Sequence, residues 1–280
     1  MPSALRPITW ACAAVMAVAI AGCGGPTYKK ERLVESLHDV LAEDGLDATI
    51  RLINSTIAIQ LEVPKALARG AEATQLDLGP GLEATLQKAQ TGLHRVLLST
   101  DADVRFYLIL ISDPEIPGAY LTLIRCLEDI RKAHANMIGV TELWSRTIFE
   151  LNLVEADNPL TIAQYPSREI QLSDFLTWQL TQRIQQELAQ TLTQNGVATV
   201  GRCQGEFTDG EFAFILNVTP AREGSLDDAT MRLAFERAAK VTAQVLSSYQ
   251  FDSFNAVRLT HPTSGRNLVL PRTSLDMFRR

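Results

Sequence analysis

The sequence predicts an α+β fold with two tandem αββαββ-type modules, in which helices pack on small antiparallel sheets. The chain has 280 residues, 46% of them hydrophobic and 21% charged, which is enough apolar material for a sizeable core. Segments with apolar residues at helical spacing are each followed by two segments that favour strands. This order of segments occurs twice, so we expect two modules of the same kind.

The first module is predicted over residues 29–138. Its first helix is followed by Gly45, a typical helix stop. Asn54 and Ser55 separate two segments of alternating polarity, as in a hairpin, and Gly79-Pro80-Gly81 separates that hairpin from the next helix. The predicted elements are a helix (31–45), two strands (49–53 and 56–63), a helix (82–97), two strands (104–111 and 120–126) and a closing helix (127–138).

The second module is predicted over residues 171–280. Ser173 is the predicted N-cap of its first helix, which Asn195-Gly196 ends. Asp209-Gly210 is a strong hairpin signal, and the capping box Ser225-Leu226-Asp227-Asp228 opens the second helix. The predicted elements are a helix (173–192), two strands (197–207 and 211–219), a helix (225–248) and two strands (254–260 and 267–270).

Residues 139–170 are predicted to connect the two modules. Within them, residues 141–151 place their apolar side chains on one helical face, which predicts a helix. Residues 152–169 contain Pro159 and Pro166, and we expect an irregular segment there. Residue identity between the two halves is low, so the duplication depends on element order. The alternative is a single α+β domain whose elements merely alternate.

The first 22 residues have the pattern of a secretory signal peptide. Arg6 precedes an unbroken apolar run from Ile8 to Ala21, which is too short to span a bilayer as a helix. Ile20-Ala21-Gly22-Cys23 resembles the lipobox of bacterial lipoproteins, in which a branched residue and two small residues precede a lipidated cysteine. The resemblance implies cleavage between Gly22 and Cys23 and lipidation of Cys23. The alternatives are an ordinary secreted protein and a short N-terminal membrane anchor.

The same resemblance implies a location. Gly24 stands where an Asp would signal retention at the inner membrane, so we expect the periplasmic face of the outer membrane. The outer face of the inner membrane is the alternative. Residues 23–28 would then be the lipidated cysteine and a short tether, which holds the folded body close to the lipid head groups.

The order of elements in each module resembles that of BON domains, small α/β modules of bacterial envelope lipoproteins that bind phospholipid or partner proteins. The glycine that usually marks the BON hairpin is missing from the first module, where Asn54 and Ser55 stand. Each module also carries an extra strand. The resemblance therefore concerns element order and no sequence motif.

Cys126 and Cys203 are the cysteines that remain in the mature chain beside Cys23. They are able to form a disulfide in an oxidising periplasm. The alternative is two separate buried thiols, which we favour because each cysteine lies in an apolar, strand-like segment.

The turn Asp113-Pro114-Glu115-Ile116-Pro117-Gly118 is the first candidate for contact with a partner. It is stiffened by two prolines and long for a hairpin turn, and we expect it to be exposed. The alternative is a plain connection between two strands. A further candidate is the C-terminal Met277-Phe278-Arg279-Arg280, where two cations adjoin two apolar side chains, as in a segment that contacts anionic head groups or a partner groove. The alternative, which we favour, is a docked or frayed terminus.

The sequence contains no motif that indicates catalysis. The spacings of a serine-hydrolase elbow, a P-loop, a dinucleotide-binding fingerprint and a helical zinc-protease signature are all missing. The four histidines are scattered along the chain, so we predict no catalytic residue, no metal site and no cofactor; they are His38, His94, His134 and His261. The formal net charge of −6 argues against binding to nucleic acid.

These observations favour a non-catalytic lipoprotein that acts as an adaptor or structural component of the cell envelope, with an envelope protein as its partner. Two alternatives are kept. One is a carrier or receptor for a lipid or small apolar ligand, which a pocket between sheet and helices would favour. The other is an envelope hydrolase, which would need a nucleophile, a base and an oxyanion site brought together by the fold.

Overall fold

Two mixed β-sheets, each covered by helices, form the framework of the protein. The computed structural model describes residues 27–70, 76–153, 160–221 and 226–278. The helices are α1 (Leu33–Glu43), α2 (Leu82–Leu97), α3 (Leu127–His134), α4 (Val140–Ser145), α5 (Leu172–Leu188) and α6 (Asp228–Ser248). The strands are β1 (Ala48–Ile53), β2 (Thr56–Glu62), β3 (Leu67–Arg69), β4 (Leu76–Leu78), β5 (Phe106–Ser112), β6 (Ala119–Cys126), β7 (Ile148–Leu153), β8 (Ala198–Val200), β9 (Gln204–Thr208), β10 (Glu211–Ile215), β11 (Val218–Pro220), β12 (Ala256–His261) and β13 (Arg266–Pro271).

The first sheet has the strand order β1-β2-β5-β6-β7. β1 with β2, and β5 with β6, form antiparallel hairpins. β2 pairs with β5 in parallel, because α2 carries the chain back to the same end of the sheet between them. Asn54 adopts a φ of 50° in the first hairpin turn, a conformation that Asn tolerates better than most residues. The predicted hairpin at Asn54 and Ser55 is therefore confirmed.

The second sheet has the strand order β13-β12-β10-β9 and the same kinds of pairing. β9 with β10, and β12 with β13, form antiparallel hairpins. β10 and β12, which precede and follow α6 in the chain, pair with each other in parallel. Asp209 and Gly210 both have positive φ, as a type I′ hairpin turn requires, so this predicted turn is confirmed.

The predicted α+β class, with helices on small sheets, is confirmed. The expectation of purely antiparallel sheets is wrong, since each helical crossover makes one parallel pair. Duplication of a module stays a prediction that rests on the order of the elements.

Three apolar clusters form the core. The first lies between α1, α2 and one face of the first sheet, and the second lies between α5, α6 and the second sheet. The third covers the opposite face of the first sheet with the connector and α5, through Ile162, Ile170 and Phe175. Because α5 also sends Leu176 and Leu180 into the second cluster, it belongs to the packing of both sheets.

The predicted helix over 141–151 is wrong. The helix α4 ends at Ser145, and β7 begins at Ile148 as the edge strand of the first sheet. The apolar residues of this segment fit a helical face, but the backbone hydrogen bonds available along β6 decide the conformation of its second half. The first sheet therefore extends into the predicted connector.

Two other expectations need correction. The predicted long strands 197–207 and 211–219 are each divided, into β8 and β9 and into β10 and β11. Ser173 is not the N-cap of α5; Gln171 is, in a capping box with Asp174. The N-cap of α6 is Asp227, whose side chain accepts from the Thr230 N–H, and Ser225 lies outside the described residues.

Candidate functional site

An apolar groove of about 800 Å³ lies between α2 and the segment that runs from α4 into β7. Its volume is typical of small-molecule sites in proteins. The apolar side chains that line it come from the end of β4, from α2 and from the α4–β7 segment; they are Leu78, Leu82, Leu86, Trp144 and Phe149. The groove is an open cleft between sheet and helices.

Arg125 lies beneath the lining of this groove. It occupies β6, on the same face of the sheet as Leu121 and Leu123, and only 3% of it is exposed. Its Nε donates to Thr147 Oγ1 at 2.9 Å, and its Nη1 donates to Gln90 Oε1 at 2.9 Å. The guanidinium carbon lies 4.6 Å from the centre of the Trp144 ring. All three partners line the groove, whereas Arg125 itself does not, so the cation lies directly behind the lining.

The partners of Arg125 are neutral: a hydroxyl, an amide and an indole. Among the described residues, no ion pair within 4.0 Å includes Arg125. Burying a charge is costly unless an opposite charge accompanies it. A buried cation that forms no ion pair with the described residues therefore lies directly behind the lining of the groove.

The neighbouring titratable groups do not supply the missing negative charge. The Tyr107 hydroxyl lies 2.9 Å from His94 Nε2, and burial raises the Tyr107 pKa to about 12, although Arg125 acts in the opposite direction. Burial lowers the pKa of His94 to about 4, and the charges of Arg125 and His134 lower it further. Both groups are thus neutral near pH 7.

One rim of the groove carries exposed apolar side chains. Trp144 is 48% exposed, and Val140, one helical turn earlier in α4, is 73% exposed. Met137, just before α4, is 71% exposed. Isolated apolar residues on a surface are ordinary, but three that adjoin an apolar cleft are typical of a binding surface.

Glutamines of α5 hold the far wall of the groove in place. Gln182 Oε1 accepts from the Phe149 N–H at 3.3 Å, which satisfies an outward-facing donor of the edge strand β7. One turn further, Gln185 Oε1 accepts from the Cys203 N–H at 2.9 Å. Beyond Phe149 and Gln182 lies a second, more polar groove of about 790 Å³, where Arg202 and Glu150 face each other.

Arg146 is a second buried arginine, with different surroundings. It is 7% exposed, its Nη1 donates to Asp129 Oδ1 at 2.9 Å, and its Nε donates to Glu142 Oε1 at 2.8 Å. The Tyr249 hydroxyl donates to the other Asp129 oxygen, and Gln179 Nε2 donates to the Arg146 carbonyl at 2.8 Å. This polar cluster joins α3, α4, α5 and the residue that ends α6, so its role is structural.

The residues predicted to form a site differ in whether the structure describes them and in whether they are exposed. Gly22 and Cys23 lie outside the described residues. In the 113–118 turn, Pro114, Glu115 and Pro117 are exposed, as expected. The expectation is wrong for Asp113 and Ile116, which are buried: Ile116 joins the first core, and the Asp113 carboxylate accepts from the N–H groups of Leu67 and Glu115.

Cys126 and Cys203 do not form a disulfide, so that hypothesis is wrong. Both thiols are free and buried, and they lie in different clusters, Cys126 beside the first sheet and Cys203 in the second core. Burial raises the Cys126 pKa to about 11, and it also raises the Cys203 pKa. The two cysteines are structural, as the alternative of separate thiols expected.

The remaining histidines have no partners that point to chemistry. His261 is buried, with its two ring nitrogens 2.7 Å from Ser264 Oγ and from the Val218 carbonyl oxygen, and His38 is exposed. Within the part of the chain that the structure describes, no group of three or more His, Cys, Asp or Glu side chains is placed to hold a metal ion.

Sequence reasoning missed Arg125. The signal was present: Arg125 is the single charged residue in the otherwise apolar or uncharged strand Tyr120–Cys126. A cation in such a run is either at an edge or buried for a reason. Recognising which required the positions of α2 and α4, and the prediction contained neither β7 nor the packing of Trp144 in α4 over Arg125.

The chain has no significant match to known family models, to curated proteins or to solved structures. Of the helices in the described ranges, none combines the length and apolar character needed to cross a bilayer.

Proposed function

We propose that this protein is a membrane-anchored lipoprotein of the cell envelope that binds an amphiphilic ligand in the apolar groove, as a carrier or receptor. The observation that carries the proposal is a groove of about 800 Å³ with an apolar wall, behind which a buried cation without an ion pair contacts the lining residues Gln90, Trp144 and Thr147. No serine, cysteine or histidine is among the described residues that line the groove, so nothing there favours hydrolysis over binding.

The contacts of the first described residues support a position of the folded body close to the membrane. The Tyr28 N–H donates to the Ser99 carbonyl at 3.2 Å, and the Lys30 N–H donates to Asp101 Oδ1 at 2.6 Å. Tyr28 and Lys30 are therefore held beside the C-terminal end of α2. A lipid on Cys23 would hold that point within about 18 Å of the bilayer surface. The groove lies along the other end of α2, roughly 20 Å away.

Binding of an uncharged fluorescent apolar probe, N-phenyl-1-naphthylamine, tests the groove. We expect saturable binding with one probe per chain. Leu78→Glu places a charge on an exposed side chain of the groove wall and should weaken binding about tenfold, through lost apolar contact. Val269→Glu is the matched control, because Val269 is a similarly exposed apolar residue on β13. Equal binding by all three proteins would refute the assignment of the groove.

The anchor is tested separately. Treatment with globomycin, or Cys23→Ser, should change the processing of the protein and abolish its lipidation. Mass spectrometry of the native protein should show acyl chains on a terminal Cys23. An unmodified thiol or an intact leader there would contradict the lipoprotein part of the proposal and leave the groove untouched.

A second candidate function is an adaptor for an envelope protein. The exposed Met137 and Val140 beside the groove favour it, since apolar residues of this kind are often covered by a partner. Val140→Glu should then remove a stoichiometric partner recovered from solubilised envelopes without changing probe binding. Recovery of the same partner by both proteins would count against this surface.

A further inference from the structure

We propose that the ligand of the groove is a long-chain monocarboxylate, with its carboxylate paired to Arg125 and its alkyl chain along Leu82, Leu86 and Phe149. This inference rests on the proposed binding function and names the chemical class of the ligand. Its novelty is the assignment of Arg125 as the residue that recognises the head group.

The positive charge behind the lining of the groove favours an anionic ligand. Arg125 is 3% exposed, and its partners Thr147, Gln90 and Trp144 carry no charge. An anion brought into this site gains a full electrostatic interaction in surroundings that water screens poorly. One cation neutralises one negative charge, so a monoanion fits better than a doubly charged phosphate monoester.

The guanidinium retains donors for a carboxylate. Its hydrogen bonds to Thr147, Gln90 and the Tyr107 hydroxyl use three of the five N–H groups, and two others are left. A carboxylate needs two of them for a bidentate pair, the arrangement that arginine forms best. The groove thus offers recognition of the head group as well as of the chain.

Trp144 covers the cation in the absence of a ligand. Its ring stacks on the guanidinium, but nearly half of the residue faces solvent, so the side chain has room to move. A cation–π contact is weaker than a bidentate pair with a carboxylate in a desolvated site. We therefore expect a carboxylate to displace the indole from Arg125 and leave it against the alkyl chain.

Photo-crosslinking tests the inference on the full-length protein in its own membrane. Two probes with the same chain are compared, a dodecanoate and a 1-dodecanol that each carry a terminal diazirine. Arg125→Gln should reduce labelling of the α2 peptide by the acid at least tenfold and leave labelling by the alcohol within about twofold of wild type. Arg131→Gln, the same change of charge at an exposed arginine, should alter neither.

The outcomes separate the two proposals. Labelling of the groove by both probes with no effect of Arg125→Gln would overturn the role of Arg125 and leave the apolar groove standing. No labelling of α2 by either probe would overturn both proposals. Should Arg125→Gln fail to accumulate, competition on the wild-type protein decides. Unlabelled dodecanoate must then displace the acid probe at lower concentration than 1-dodecanol does, and equal potency of the two competitors would refute the inference.

Discussion

Arg125 and Arg146 are buried to nearly the same extent, and they differ in what surrounds them. Arg146 lies against the carboxylates of Asp129 and Glu142, in a cluster that joins four helices. Arg125 lies against a hydroxyl, an amide and an indole, directly behind the lining of a groove. A buried cation with its own acids serves the fold, whereas a buried cation that lacks them is available to a ligand.

The largest expected loss of stability follows a substitution of Arg146. Arg146→Met would leave Asp129 buried without its cation, and should lower the free energy of unfolding by about 3–5 kcal/mol. Urea denaturation measures the loss. Asp129→Asn in the same chain should recover part of it, because the uncompensated charge is then removed. A loss below about 1 kcal/mol would mean that the ion pair does not hold these helices together.

The next largest effect is a loss of stability at acidic pH. His94 lies beside Arg125 and His134, opposite the Tyr107 hydroxyl, and its pKa is about 4 in the folded protein against 6.5 for an ordinary histidine. Below pH 6.5 the unfolded chain takes up a proton that the folded chain refuses until about pH 4, so stability falls as the pH falls through this window. The loss amounts to at most about 3 kcal/mol.

The change His94→Gln isolates that loss. The variant keeps a polar group near Tyr107 but removes the titration, so its stability should fall less than that of the wild type between pH 6.5 and pH 4. Comparing the two proteins cancels contributions from the Asp129 cluster, where burial raises the carboxyl pKa and Tyr249 and Arg146 act against that rise. If the free energy of unfolding changed with pH in the same way in both proteins, the surroundings of Arg125 would not disfavour a second positive charge at His94.

The smallest effect is expected at Arg125 itself. Arg125→Met should change the free energy of unfolding by less than about 1 kcal/mol, because no buried acid loses its partner. Gln90 is only partly buried and can turn toward water, and the buried Thr147 hydroxyl keeps its hydrogen bond to the Leu143 carbonyl at 2.9 Å. Thermal and urea unfolding measure the change. A loss as large as that of Arg146→Met would make Arg125 a structural residue and remove the difference between the two sites.

The parts of the fold that could be predicted are those with local causes. The spacing of Leu37, Leu41 and their neighbours predicts α1, and Asp209-Gly210 predicts the hairpin of β9 and β10, because helical faces and turn conformations depend on adjacent residues. The helix predicted over 141–151 failed because the same apolar residues suit either period, and pairing with β6 decides between them. The parallel pairs depend on crossovers that no local pattern specifies.

The candidate site lies beyond sequence reasoning for the same reason. Arg125 becomes a buried, unneutralised cation only where β6, α2 and the α4–β7 segment meet, and those elements are far apart in the chain. The 113–118 turn shows the opposite error. Its composition predicts an exposed loop, yet the Asp113 carboxylate is used to hold the N–H group of Leu67. Composition indicates where a loop is, and only packing shows whether its side chains are available.

The free energy of unfolding of the wild-type protein and of Arg125→Met, each measured with and without dodecanoate, tests the central claim most directly. A ligand that binds only the folded state stabilises it by mass action, by about 2.7 kcal/mol at a hundredfold excess over the dissociation constant. We expect dodecanoate to stabilise the wild type and to have little effect on Arg125→Met. The alcohol 1-dodecanol should change the free energy of unfolding of both proteins by the same amount. Equal stabilisation of the two proteins by dodecanoate would contradict the account.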